Sequence, residues 1–172
     1  GEWRISGVDT FKEPVPAATA EELKIVAPDF DDSSFDAIAV PGNFFLKYKV
    51  QSKAKPYAKA WYRREFTLSP EELAGKRLIL KFERVAYETE IFLNGRRIGA
   101  HHGQYNAFEI DATAAAKAGR NVLAMRVLAD NGPQFGTGKA YHTYGSAWWT
   151  GLIPGGITGN VELSLEPEIR FG

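Results

Sequence analysis

The sequence predicts an all-β protein, a two-layer sandwich of the jelly-roll kind, and three observations carry that expectation. Leu78, Leu80 and Phe82 alternate with Arg77, Ile79 and Lys81, the period of a strand with one face buried. Asn94 and Gly95 sit between two such runs, and this pair accepts the positive φ angles of a two-residue hairpin turn. Elsewhere the apolar runs are short, joined by turn signals, and the helical patterns last a single turn. That spacing suits antiparallel sheets packed face to face.

The elements follow in order. Residues 1–40 read as irregular, with a proline-bearing stretch (Glu13, Pro14, Val15, Pro16) and one helical turn. That turn is marked by Thr19-Ala20-Glu21-Glu22, where Thr19 caps and Glu22 reaches back. Phe30–Phe44 follows with a turn at Pro41-Gly42, and the polar, lysine-rich residues Gln51–Lys59 read as a solvated loop. Trp61–Leu68 is a strand. Ser69 then caps a turn with Pro70 in its first position and Gly75 as its stop. Asp111–Gly119 reads as a second helical turn ended by glycine, and Asn121–Val127 and Val161–Leu165 as strands. One segment breaks the rhythm: about 130–160 is glycine-rich, low in charge and dense in aromatic rings. A loop of that length inside a compact domain is usually functional or disordered, and its rings argue against disorder.

With 172 residues the chain fits one domain, 1–172, able to bury a core. Lys+Arg and Asp+Glu both total 21, so the basic excess that phosphate recognition needs is missing and a nucleic-acid partner is disfavoured. No apolar stretch approaches a membrane span, and no export-signal pattern opens the chain. Cysteine is absent, which removes disulfides, thiolate metal ligands and thiol nucleophiles together.

Five stretches in order carry a resemblance: FDDSSFDAIAVPGNF, WYRREFTL, GKRLILKFERVAYETEIFLNGRRIGAHHG, FEIDATAAAKAGRNVLAMRV and GGITGNVELSLEP. Together they resemble the N-terminal sugar-binding domain of glycoside hydrolase family 2, the group of β-galactosidases, β-glucuronidases and β-mannosidases. The resemblance implies a galactose-binding-domain-like jelly roll with no catalytic carboxylate of its own, the chemistry residing in a separate (β/α)₈ barrel as partner. It also implies an oligo- or polysaccharide ligand; the compartment stays open, with a periplasmic or extracellular setting favoured over the cytoplasm. The sequence departs from the family at two places. Thr158 and Gly159 stand where an aromatic residue and an arginine are usual. Gly145, Ser146 and Ala147 precede Trp148 where some members place a substrate-contacting aspartate.

The aromatic segment supplies the candidate glycan site: Asn131, Gln134, Phe135, Tyr141, His142, Tyr144, Trp148 and Trp149, with Lys139 and Thr143 beside them. A pyranose offers C–H faces to an aromatic plane while its hydroxyls need polar partners, and Tyr and Trp give a rigid platform with a polar handle. The alternative is a structural accessory domain whose rings pack against a catalytic barrel without touching sugar. Other clusters read more plainly. His101-His102 lack the third ligand that zinc wants. Glu88 and Glu90 share a strand face, a spacing open to acid/base work, yet Arg84, Arg96 and Arg97 on the same hairpin make ion pairing the plainer expectation. Asp29, Asp31 and Asp32 offer oxygen ligands for a structural calcium, but turn-forming hydrogen bonds explain them as well. Lys47, Lys49, Lys53, Lys55 and Lys59, interleaved with Tyr48 and Tyr57, read as a solvated face rather than a site for an acidic polysaccharide. No cofactor is expected, and no nucleophile–base constellation is recognisable.

Overall fold

The computed structural model describes residues 2–12, 16–50, 57–130 and 154–168. The chain runs β1 (Glu2–Ile5), β2 (Asp9–Phe11), a 3-10 turn (Glu22–Val26), β3 (Asp36–Ala39), α1 (Phe44–Tyr48), β4 (Tyr57–Leu68) and α2 (Pro70–Leu73). It continues through β5 (Lys76–Phe82), β6 (Val85–Ala86), β7 (Glu88–Leu93), β8 (Arg96–His102), β9 (Phe108–Asp111), a second 3-10 turn (Thr113–Ala115), β10 (Gly119–Asp130), β11 (Gly156–Ile157) and β12 (Val161–Pro167). The larger sheet has the order β3-β1-β4-β10-β7-β8, with β2 also beside β4. A smaller sheet has the order β12-β5-β9, and β11 pairs with β6. Every pairing is antiparallel, so the all-β sandwich stands.

The two sheets meet through alternate side chains. Leu78, Leu80 and Phe82 of β5 are buried together with Tyr62 of β4, Ile91 and Leu93 of β7, and Leu123, Met125 and Val127 of β10. Each such side chain contributes about 1.5–3 kcal/mol by leaving water. Ile79, placed by its period on the outward side, is buried too.

Local signals formed what they encode. Asn94 and Gly95 have φ of 53° and 84°, and the hairpin closes with Leu93 opposite Arg96. Asn94 does more than turn the chain: its Nδ2 donates to Ala115 O and Asn121 Oδ1, both at 2.8 Å, and its Oδ1 accepts from Val122 N at 3.0 Å. Ser69 and Glu72 form the reciprocal cap of α2. Thr19 and Glu22 do the same ahead of the first 3-10 turn, with N···O distances of 2.9 and 3.2 Å. The second helical turn is shorter than expected: it ends at Ala115, and Gly119, at φ 84°, opens β10 instead.

Two expectations need correction. Residues 1–40 are not merely irregular, because β1, β2 and β3 all join the larger sheet there. The stretch to Lys59 is not all solvated loop either, since β4 begins at Tyr57 and Lys59 is buried against Glu22. The burial of Lys59 has a clear cause: residues 16–35 form a strap that crosses the outer face of the larger sheet. Val26, Trp61, Phe92 and Ala124 make a second small core beneath it, with Ala18, Ile25 and Phe35 packed alongside.

Cationic side chains from the sheet hold the strap. Arg63, fully buried, places Nε 2.8 Å from Asp32 and donates to the carbonyls of Ile25 and, at 3.1 Å, Ala27. Arg4 donates to the carbonyls of Asp32 and Ser33 at 3.1 Å each, Arg120 to that of Pro28 at 2.8 Å, and Arg126 to that of Pro16. An irregular segment lying on a sheet has carbonyls that no ladder satisfies, and charge-assisted donors meet that need.

Two predictions follow from these contacts. Asn94→Ala loses three hydrogen bonds and keeps a strained positive φ, so urea unfolding is expected to show a loss of about 3 kcal/mol; a change within experimental error contradicts the role. The Thr113 hydroxyl and N–H and the Arg77 guanidinium hold the Asp111 carboxyl down from 3.8 to about 2. Its contribution is therefore complete above about pH 4 and is lost as pH falls through about 2. The stability gap between the native chain and Asp111→Asn should shrink across that window, and a constant gap refutes the assignment.

Candidate functional site

Where the strap leaves the larger sheet uncovered, a cleft of about 780 Å³ opens, within the size range of small-ligand sites. Register builds its floor in rows. Arg126 of β10 lies opposite Glu90 of β7, which lies opposite Ala100 of β8. Two residues along, Leu128, Glu88 and His102 repeat the arrangement. Side chains two apart in a strand share a face, so these six residues form one surface. Pro16, Ala17, Ala18 and Leu23 of the strap wall it.

The charges on that surface are arranged in pairs. Glu90 lies 3.4 Å from Arg97 and 3.3 Å from Arg126, whose side chain is almost wholly buried. His102 Nδ1 faces Glu88 at 3.3 Å, and its Nε2 shares a 2.5 Å hydrogen bond with the Tyr87 hydroxyl. A tautomer with the proton on Nδ1 lets the tyrosine donate to Nε2 and the imidazole donate to the carboxylate. His101, in the intervening row with Thr89, stacks on Phe108 with ring centroids 3.8 Å apart. Burial, and then the neighbouring His102, push its pKa below the usual histidine value.

Among the described residues, five buried side-chain polar atoms have no hydrogen-bond partner; Arg126 Nε is the one on the cleft's face, whereas Thr89 Oγ1 and His101 Nε2 lie on the inner side of the same strands. A buried polar atom without a partner costs about 1–3 kcal/mol. Buried polar groups are normally satisfied.

The eight residues of the sequence-derived glycan site, Asn131, Gln134, Phe135, Tyr141, His142, Tyr144, Trp148 and Trp149, lie outside the described residues. The flanks of their segment are defined. β10 ends at Asp130, and β11 begins at Gly156. A Cβ at Gly155 would lie 2.5 Å from the Phe45 ring, and one at Gly156 would lie 2.3 Å from the Tyr62 hydroxyl. The two glycines thus let the returning chain press onto α1 and β4. At the departure from the family motif, a Cβ on Gly159 would lie 2.5 Å from the Arg84 nitrogen, so the backbone here runs too close to β6's approach for a side chain.

The other clusters resolve as follows. Arg97 pairs with Glu90 as expected, whereas Arg84 lies 3.3 Å from Glu83 and Arg96 donates to Ala114 O at 3.1 Å. Asp31 accepts from Ser33 N at 2.9 Å and Asp32 engages Arg63, so turn and clamp occupy them. The lysine stretch is not one face: Lys47 lies over the Tyr48 ring, Lys49 ends α1 with φ 54°, and Lys59 is buried. Lys53 and Lys55, like Lys139 and Thr143, lie outside the described residues. Among the described residues no cluster of three His, Asp or Glu side chains suited to a metal occurs. Sequence reasoning missed Arg126. The signal for Arg126 was available, since a charge alternating with Met125 and Val127 inside a long apolar strand has to meet something specific.

Comparisons with known proteins place this architecture. The model of the glycosyl hydrolases family 2 sugar binding domain matches residues 1–150. The β-galactosidase of Thermoanaerobacter pseudethanolicus is 31% identical over 102 residues, 58% of this chain and 14% of that protein. The β-galactosidase of an Arthrobacter species is 28% identical, across 97% of this chain and 18% of its own length. The solved structure of Bacteroides uniformis β-glucuronidase 2, covalently bound to cyclophellitol-6-carboxylate aziridine, superposes with a TM-score of 0.67. It is 25% identical, over 96% of this chain and 17% of that one. The chain therefore spans less than a fifth of each of these three relatives. Its ordered motifs, antiparallel two-layer architecture and family match agree: the chain belongs to the sugar-binding domain family of glycosyl hydrolases family 2.

Proposed function

We propose that this chain is the non-catalytic carbohydrate-binding part of a family-2-type glycoside hydrolase and that its aromatic segment, at about 130–160, contacts the glycan. The observation that carries the reading is the family match over residues 1–150. Support also comes from chemistry. Trp148 and Trp149 are adjacent, so in extended chain they face opposite ways and one of them meets the sugar face. Tyr141, Tyr144, His142, Asn131 and Gln134 supply hydroxyl, imidazole and amide partners for the ring hydroxyls, and Phe135 adds apolar area. Bond cleavage is assigned to a separate (β/α)₈ barrel. The named relatives, β-galactosidases and a β-glucuronidase, point to β-linked galactosides or glucuronides as the saccharides handled.

Calorimetric titration of the chain with β-galactoside and β-glucuronide oligosaccharides tests this. Binding is expected with Kd between about 1 μM and 1 mM, lost in Trp148→Ala or Trp149→Ala, and with no hydrolysis of the ligand by the chain alone. A chain that binds nothing across the panel but forms a stable complex with a family-2 catalytic barrel overturns the reading in favour of a structural accessory domain.

A further inference from the structure

We propose that His101 is an acid-sensitive latch: its neutral ring closes the side of the sandwich where β8 meets β9, and its protonation releases the turn between those strands. The inference concerns the sandwich itself and is independent of which ligand the chain takes.

Close packing and ring stacking make the latch. β8 belongs to the larger sheet and β9 to the smaller one, and two contacts join them. A Cβ at Gly99 would lie 2.6 Å from Ile110 Cδ1, so the missing side chain lets that isoleucine seat against β8. Further along β8, the His101 ring lies on Phe108 with centroids 3.8 Å apart and planes within 10°. Phe108 in turn stacks on Phe82, its cross-strand partner in β5, at 4.8 Å and 12°. Near-parallel rings from β8, β9 and β5 therefore close this side of the core.

The same surroundings leave the imidazole no means of carrying a charge. His101 lies opposite Thr89 on the inner side of the sheet. Its Nε2 is shut off from solvent without a hydrogen-bond partner, and Thr89 Oγ1 is likewise unpartnered. Gly103 covers that nitrogen: a Cβ on it would lie 3.2 Å from Nε2. The Gly103 N–H donates to Tyr87 O at 3.0 Å, which ties the turn down. Among the described residues no carboxylate faces the ring. Glu88 and Glu90 of β7 turn to the outer side, toward His102 and toward Arg97 and Arg126. Glu109 of β9 turns to Lys81 of β5, at 3.7 Å. The titratable neighbour that bears on His101 is His102; burial disfavours the cation most, and repulsion from His102 adds to it. Whichever nitrogen holds the proton in the neutral ring, the cation puts an N–H on Nε2, where no acceptor waits. Water reaches it only if Gly103 lifts and its bond to Tyr87 breaks. The closed form thus favours the neutral imidazole, so closure is complete above the ordinary histidine pKa and weakens as pH falls below it.

Proton NMR and amide hydrogen exchange of the whole chain across mildly acidic pH test the latch. The His101 Cε1–H resonance is expected to titrate below the ordinary histidine value of about 6.5. Opening at the Gly103 amide, read as exchange corrected for its intrinsic pH dependence, should rise about three- to tenfold over the two pH units below about 7.5. Protection in β4 and β10 should hold. His101→Phe keeps a ring on Phe108 and cannot titrate, so its Gly103 protection should be flat with pH, whereas His102→Gln should keep the rise. Should His101→Phe not fold, the native titration and His102→Gln decide. The proposal is overturned if His101 titrates at or above the ordinary value, or if Gly103 protection does not change. A rise that survives His101→Phe or disappears in His102→Gln overturns it too, as does protection lost evenly over both sheets.

Discussion

The structure depends on one recurring contact: cationic side chains rising from the outer face of the larger sheet and donating to the backbone carbonyls of the strap. Arg63 is the centre of it, fully buried between Asp32 and the carbonyls of Ile25 and Ala27. Arg4, Arg120 and Arg126 repeat the device along the strap, and Lys59 grips the side chain of Glu22. A sandwich with so large a sheet has a wide outer face, and burying it under irregular chain strands many carbonyls from water. Guanidinium groups solve both problems, since their stems pack and their five donors reach several acceptors. Removing one such group would leave carbonyls and Asp32 without their partner, a far larger loss than an exposed ion pair entails.

That arrangement separates the duties of the molecule. The inner faces are apolar and closed, with Leu78, Leu80 and Phe82 meeting β7 and β10. The outer face is where polar chemistry accumulates, because its charged side chains hold the strap. Beside Pro16, Ala17 and Ala18 the same register that feeds the strap, with Arg126, Glu90 and their neighbours, lines the cleft. β10 thus serves three purposes in succession: hairpin anchor near Asn121, strap anchor at Arg126, and entry to the aromatic segment after Asp130.

Legibility in the sequence followed the range of the interaction. The Asn94-Gly95 turn, the caps at Thr19 and Ser69 and the alternation of β5 are local, and each was readable from a few adjacent residues. The family motifs extended that reading to the whole architecture. What escaped was set by chain far away. β1 and β3 pair with each other across more than thirty positions, so their residues carried no hairpin signal. Lys59 reads as part of a solvated stretch, yet Glu22 of the strap buries it, and Arg63, in a strand the sequence predicts, is buried by the same strap. Ile79 obeyed a period-2 pattern and still lies inside. For the site, the aromatic segment announced itself by composition, while the cleft assembles from three strands and a strap and has no linear signature beyond the charge of Arg126 inside an apolar run.

The grip of Arg63 on the strap is most directly tested by amide hydrogen exchange in the native chain and in Arg63→Met. The account predicts that exchange accelerates throughout residues 16–35, including the cleft wall at Ala18 and Leu23, while β5, β9 and β12 keep their protection. Unchanged protection across the strap, or loss spread evenly over both sheets, would contradict it.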